Sequence, residues 1–300
     1  MASLAEETDA PEEVSNIVDT ASVNAVTTFR HKLMDILVDS SEEEKAIQEM
    51  RENAEFADLP QETIVRFLRA RDLSVKDATA MLNYHLEFRK QWMKDEITVD
   101  EIMPALQSGC WCVGGLDKDG SPILLVDTRL WNPADYSVEI YVKYLCFFYE
   151  RCFSHREFYG IPENVHQVVV VFDMQGWSYS DAYYLKYIHQ LVNINQNQYP
   201  ERLKRGFLIN CPWIFKAAWA IIKPWIDKKT VSKLEFTTDN NLTEKLTEYI
   251  PIDILSEEYG GRKKVKDFLK PNLAGVPNYV QRSSRIGNMD TVAEGEEAKP

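Results

Sequence analysis

Long apolar runs are the first thing missing from this chain of 300 residues. No stretch approaches the eighteen or so apolar residues that a membrane span needs, and the first thirty residues are acidic instead of basic-then-apolar. Neither a transmembrane helix nor a signal peptide is expected, and the chain reads as cytoplasmic. Positive charge is scarce as well: 34 Lys and Arg against 47 Asp and Glu leave a formal net charge of −13. General nucleic-acid binding needs phosphate-neutralising surface and is not expected. Contact with an anionic membrane must then be local. Cysteine is sparse, five in all with no repeated spacing, which fits reduced thiols better than a disulfide framework.

Catalytic signatures are missing too. The chain has no G-x-S-x-G elbow, no G-x-x-x-x-G-K-[ST] loop, no G-x-G-x-x-G after a strand and no H-E-x-x-H. Cys110 and Cys112 stand one residue apart in an expected strand and share a face, but no His or Cys follows at ligand spacing. Neither an enzyme, a metal site nor a cofactor is expected. Asp173, at the end of VVVVFD, leaves two readings open: a functional carboxylate at a strand end, or the cap of a turn at Gln175 and Gly176.

What is present is ample for a core, 45% apolar with 11% aromatic. Residues 1–27 carry six acidic side chains and no Lys or Arg, and residues 266–300 look similar; both are expected to be flexible tails. Residues 28–107 show helical periodicity. Ser74 with Asp77, and Thr98 with Glu101, open two helices in reciprocal capping arrangements. In the first, Ala78, Met81, His85, Phe88 and Trp92 share a face, which predicts a small helical lobe with His85 as a packed histidine.

Residues 108–265 change texture. CWCVGGL and PILLVDT flank DKDG, a hairpin signal. An aromatic-rich helix over 137–153 follows, then HQVVVVFDM, the continuous run of a strand covered on both faces. A helix over 180–198, the strand GFLIN, a helix from position 215, a strand over 232–237 and a helix over 242–249 complete the series. Alternating β and α elements predict an α/β domain with a mostly parallel sheet.

The helix FKAAWAIIKPWID has almost no polar face, only Lys216 and Lys223 in its first half, and runs into Lys228, Lys229 and Lys233. A helix apolar nearly all round is expected to be buried, which is hard to square with lysines so near.

RFLRAR at 66–71, the DKDG hairpin, DMQGWSYSDAY, YPERL, INCPWIFKAAWAIIKPWID, TVSKL and EEYGG occur in this order between about 30 and 265. Together they resemble the CRAL-TRIO lipid-binding family, and most closely its phosphatidylinositol-transfer members of fungi and plants. The resemblance implies an α/β protein with a helical N-terminal lobe, a lipid-binding lobe built on a mostly parallel sheet, a deep apolar cavity and a mobile gate helix. The gate matches the helix from 215: Phe215, Trp219, Ile222 and Trp225 would line the cavity, while Lys216, Lys223, Lys228 and Lys229 would hold an open gate to anionic lipid. A two-chain lipid carries roughly thirty methylenes, whose exposure costs on the order of 20 kcal/mol, so a carrier must enclose it.

The resemblance also implies a headgroup site. Its family positions match Arg71, Asp117, Glu201, Thr230 and Lys233: a cation for the phosphodiester, a carboxylate and a hydroxyl for inositol hydroxyls. The family's basic residue after RFLRAR is Asp72 here, which weakens one phosphate contact. Where members that carry phosphatidylcholine place tyrosines, a serine and a threonine, this chain has Val113, Leu124, Val168 and Val170. A zwitterionic head against four aliphatic side chains would lose its hydration unrepaid. Phosphatidylcholine is therefore expected to bind poorly and any second ligand to be less polar, such as a sterol or isoprenoid. The expectation is a phosphatidylinositol carrier without covalent chemistry, a monomer that visits membrane surfaces and serves a lipid kinase. Three alternatives remain open: a carrier of one apolar metabolite, a lipid-sensing scaffold for a lipid kinase or small GTPase, and an enzyme acting around Asp173 and Ser178.

Overall fold

The computed structural model describes residues 40–94, 97–154, 156, 160–237 and 240–264. The expected tails over 1–27 and 266–300 lie outside the described residues.

The helical lobe begins at α1 (Ser41–Arg51). Its Ser40 cap accepts the Glu43 N–H at 3.1 Å, and Glu42, Glu43 and Glu44 sit in the first turn, where the helix dipole favours negative charge. α2 (Gln61–Arg69) follows Pro60, and α3 (Val75–Trp92) starts at Ser74. The three helices close over Met50, Phe56, Ile64, Phe67, Leu68 and Leu82. Ser74 caps α3 by accepting from the Asp77 N–H, yet the Asp77 carboxylate takes the Ser74 hydroxyl instead of its backbone N–H, so the expected reciprocal cap is only half made. It is complete at α4 (Val99–Leu106), where Thr98 and Glu101 cap each other.

The second lobe is a five-stranded sheet in the order β1 (Trp111–Leu116), β2 (Pro122–Asp127), β3 (Val168–Asp173), β4 (Leu203–Ile209) and β5 (Leu234–Phe236). The β1–β2 hairpin is antiparallel and the other three pairings are parallel. β3 is buried along nearly its whole length because both faces are covered. Val168 and Val170 face α5 (Val138–Ser154) and α6 (Leu185–Asn197), while Val169 and Val171 face α9 (Leu242–Tyr249) with Phe207, Ile209 and Leu246. Between them in the chain lie α7 (Phe215–Ile222) and α8 (Lys228–Ser232).

The helix expected over 180–198 divides in two. Tyr179–Tyr184 is a 3-10 helix with no buried residue, and the α form begins at Leu185, where Tyr187 and Ile194 find the core. Packing, more than local propensity, selects the regular helix there.

The lobes meet around ion pairs and a buried histidine. Glu62 of α2 pairs with Arg202 at 2.6 Å and with Arg66 at 3.2 Å. Burial works to raise the Glu62 pKa, but the His166 hydrogen bond and the charges of Arg202 and Arg66 outweigh it and hold the carboxyl well below the usual range. His85 Nδ1 lies 2.9 Å from Gln198 Oε1, and burial pushes the imidazole down to about 4.

Candidate functional site

A cavity of about 620 Å³ lies between one face of the sheet, α6 and α7. Its body is apolar. Val126, Val170, Phe172, Leu203 and Leu208 supply the floor, Ile188 and Leu191 one wall, and Phe215, Trp219 and Ile222 the cover. Strand alternation puts these floor residues on one side, and the short Val-rich strands leave room above them.

The structure resolves the paradox of α7. Phe215, Ala218 and Ile222 are buried and Trp219 is half-buried, while Lys216, Ala217, Ala220 and Ile221 are exposed. One apolar side covers the cavity and the other meets solvent, with Ile221 51% exposed between Lys216 and Lys223. Just before it, Trp213 is 75% exposed and packs edge-on against Tyr179.

Polar groups gather where β4 and β5 begin. Arg71, Asp72, Glu201, Asp227, Lys228, Lys229, Thr230 and Lys233 all border the cavity. Glu201 holds a left-handed backbone, φ 58°, which costs a residue with a Cβ about 1 kcal/mol or more. Neighbours fix it there. Gln167 Nε2 donates to the Glu201 carbonyl at 3.2 Å, and Arg66 donates to the Pro200 carbonyl at 3.3 Å. Arg202 anchors the next position by donating to the His166 carbonyl at 2.8 Å. Burial and the Arg66 charge push Arg202 down to about 9, against the pull of Glu62, so it stays charged at neutral pH.

Within the mouth, Lys233 Nζ lies 3.3 Å from Glu201 Oε2. Lys229 pairs with Asp72 and donates to the Arg69 carbonyl at 3.3 Å, tying α8 to the end of α2. Asp227 caps α8 by accepting the Thr230 N–H at 2.8 Å. Arg71 donates to its neighbour's carbonyl, Ala70 O, at 2.8 Å, and among the described residues it forms no ion pair. One guanidinium is thus left for an anion, beside a carboxylate, an ammonium and the Thr230 side chain.

Four of the five expected headgroup residues, Arg71, Glu201, Thr230 and Lys233, therefore converge. The fifth, Asp117, is placed elsewhere. It is buried in the hairpin turn, where Oδ1 accepts the N–H groups of Asp119 and Ser121 at 2.9 and 2.7 Å and Oδ2 pairs with Lys204 at 2.6 Å. Of the aliphatic set only Val170 borders the cavity. Leu124 and Val168 lie on the same sheet face, fully buried, and Val113 pairs with Leu124 at the half-buried start of the hairpin. Of the expected gate and membrane residues, Phe215, Trp219, Ile222, Lys228 and Lys229 border the cavity and Trp225, Lys216 and Lys223 do not. Trp225 packs its ring on His189 at 5.2 Å, and its carbonyl accepts from Gln196 at 3.1 Å.

Asp173 takes the turn reading. One oxygen accepts from the Gln175 N–H at 3.0 Å and from Asn210 Nδ2 at 3.1 Å, and the other accepts from the Tyr259 hydroxyl at 2.9 Å. Ser178 shares its hydroxyl with Ser180 and Asp181. None of the five cysteines forms a disulfide among the described residues. The sequence reasoning missed the cavity-lining Tyr141, Trp131 and Trp177, which a helix or loop pattern does not distinguish from core.

Comparison with known proteins gives a consistent result. The CRAL/TRIO domain profile matches residues 106–261 and that of the CRAL/TRIO N-terminal domain matches residues 23–83. The SEC14 cytosolic factor of Eremothecium gossypii is 32% identical over 248 residues, covering 76% of this chain and 79% of that protein. The phosphatidylinositol transfer protein CSR1 of the same organism is 30% identical over 217 residues, 68% of this chain and 48% of that one. Among solved structures, Sfh5 superposes with a TM-score of 0.59 over 85% of this chain and 99% of its own at 17% identity, a likeness of fold.

Proposed function

The chain belongs to the CRAL/TRIO family, and on that premise we propose that it binds phosphatidylinositol and carries or presents it between membranes without covalent chemistry. One observation carries the reading: an apolar cavity of about 620 Å³ ends in a mouth where Arg71, Glu201, Thr230 and Lys233 converge. The charges there suit this lipid. Lys233 is matched by Glu201 and Lys229 by Asp72, which leaves Arg71 and Lys228 for one phosphodiester. Glu201 and Thr230 then face the neutral inositol ring, whose hydroxyls both donate and accept. A relative named as a phosphatidylinositol transfer protein supports the same ligand.

The work of a carrier follows from the cover. In the closed form α7 shields acyl chains from water; swung outward, it would trade cavity contacts for bilayer contacts on the apolar face that carries Ile221. Membrane association is then transient and cytoplasmic, consistent with relatives named cytosolic factors, and no helix among the described residues is long and apolar enough to cross a bilayer. The protein acts as a monomer, and a lipid kinase is the fitting recipient of presented lipid.

The test is lipid capture. Purified protein is incubated with mixed-lipid vesicles, re-isolated and its bound lipid identified by mass spectrometry, beside a Glu201→Ala, Lys233→Ala variant. Phosphatidylinositol is expected on the wild type and not on the variant, with little phosphatidylcholine on either. Equal capture by both would overturn the headgroup assignment. Phosphatidylcholine captured as readily as phosphatidylinositol would overturn the expected discrimination.

A further inference from the structure

The outer face of α7 is positive in a chain that is otherwise strongly negative. Over 213–229 the lysines 216, 223, 228 and 229 stand against Asp227 alone, while the whole chain carries a net charge of −13. Asp227 is already engaged as the cap of α8, accepting the Thr230 N–H at 2.8 Å. Lys228 and Lys229 belong to the rim of the cavity, but Lys216 and Lys223 point away from it and form no ion pair among the described residues. Between them Ala217, Ala220 and Ile221 are exposed as well. The face is basic and apolar at once, and nothing among the described residues covers it.

A segment of complementary chemistry belongs to the same chain. Residues 1–27 hold Glu6, Glu7, Asp9, Glu12, Glu13 and Asp19 and no Lys or Arg, with Val14, Ile17 and Val18 set among the last three acids. This segment leads into Ser40, the cap of α1, and contacts connect that point to α8. The Glu43 carboxylate, in the first turn of α1, pairs with Arg69 at 2.7 Å, and the Arg69 carbonyl accepts from Lys229 Nζ at 3.3 Å. Two side-chain contacts therefore lead from the entry of α1 to the lysines. The intervening residues 28–39 can span at most about 40 Å. α7, eight residues long, covers only about 12 Å, so the acidic stretch can come back over it.

From this complementarity and this point of entry we propose that the acidic segment 1–27 docks on the outer face of α7, from which an anionic membrane must displace it. Its carboxylates meet Lys216 and Lys223, and Val14, Ile17 and Val18 meet Ala217, Ala220 and Ile221. Lys228, at the rim, is left to the lipid. Exposed ion pairs contribute little singly, but a segment tethered to the same chain binds at an effective concentration of about millimolar. The cover holds in solution and yields where anionic lipid is denser. Docking rests on charge and chain path alone, and displacement rests on the reading of α7 as the side that meets the bilayer.

The experiment is zero-length crosslinking of the full chain with a water-soluble carbodiimide, which joins a carboxylate to an amine only where the two meet. Isotopically light and heavy protein are mixed equally, so that mass spectrometry separates bonds within a chain from bonds between chains. Bonds within one chain from the six acidic residues to Lys216 or Lys223 are expected at about fivefold or more the frequency of bonds to the exposed Lys76 of α3. They should fall severalfold in high salt and with phosphatidylserine vesicles, but not with phosphatidylcholine vesicles. Bonds no more frequent than those to Lys76 overturn the proposal, as do bonds mainly between chains, which would assign the face to a second copy. Bonds that persist under phosphatidylserine vesicles overturn the displacement. In a second arm, Glu6→Gln, Glu7→Gln, Asp9→Asn, Glu12→Gln, Glu13→Gln and Asp19→Asn are made together in the full chain. Co-sedimentation with phosphatidylserine vesicles should rise about tenfold, within the range that two freed ammonium groups contribute at an anionic surface. With Lys216→Gln and Lys223→Gln added to both chains that gain should largely vanish, whereas a gain of the same size would come from net charge alone and overturn the docking. Phosphatidylinositol capture is measured on the same preparations: capture without the crosslinks sinks the docking and leaves the carrier standing, and crosslinks without capture do the reverse.

Discussion

At the scale of single residues, ionisable groups do most to set how the molecule responds to its surroundings. His85 shows this clearly. Burial favours its neutral form, the nearby Arg89 and Arg66 reinforce that, and only the Gln198 hydrogen bond and Glu150 oppose it. The folded chain therefore releases the His85 proton down to about pH 4, while the unfolded chain binds it from its ordinary value of 6.5. Stability from this residue is complete above about pH 6.5 and is lost as pH falls towards 4, up to about 3 kcal/mol in all. Urea midpoints taken between pH 7.5 and 4.5 should fall in that window for the wild type. In His85→Gln that part of the slope should be missing, and an unchanged slope would show that another group carries it. The role of His85 was legible in the sequence from its helical face; its partner, 113 residues away, was not.

At the scale of elements, α7 and α8 divide the lysines into two kinds. Lys216 and Lys223 are exposed on α7 and at its end, with no ion pair among the described residues, whereas Lys229 is already engaged with Asp72 and the Arg69 carbonyl. A free ammonium near an anionic surface contributes about 1 kcal/mol, and an engaged one must first give up its partner. The Lys216→Glu, Lys223→Glu variant should lose at least tenfold in co-sedimentation with anionic vesicles, and Lys229→Ala should lose severalfold less. A larger loss for Lys229→Ala would reverse this ranking. Elements of this kind were largely readable: the Val run of β3, the DKDG hairpin and the bounds of α9 all follow from local pattern. Depth was not. Alternation places Leu124, Val168 and Val170 on one sheet face, but whether a helix or a void lies above each is decided by α5 and α6, far along the chain. Hence one of the three borders the cavity and two do not. Asp117 went astray for a related reason, since nothing local announced that Lys204 would come to neutralise it.

At the scale of the whole molecule, the helical lobe is bound to the lipid lobe through Glu62, which serves Arg66, Arg202 and His166 together. Replacing it strands two buried cations, a change that typically costs about 3–5 kcal/mol. Glu62→Gln should therefore lower the urea midpoint strongly and, by loosening the loop around Glu201, weaken phosphatidylinositol capture; a variant as stable as the wild type would contradict this account of the interface. The two-lobe plan was legible from composition, but the pairing across it depends on side chains more than a hundred residues apart. The divided surface of α7 has one more consequence, statistical in kind. Hinging it outward in water would uncover Phe215, Trp219 and Ile222, about 2 kcal/mol each, so that roughly one molecule in twenty-five thousand would stand open at any instant. Against a bilayer the same side chains find hydrocarbon and the penalty largely disappears. Timing therefore needs no separate trigger: the destination itself changes the odds, and cargo is safe for as long as the carrier is adrift.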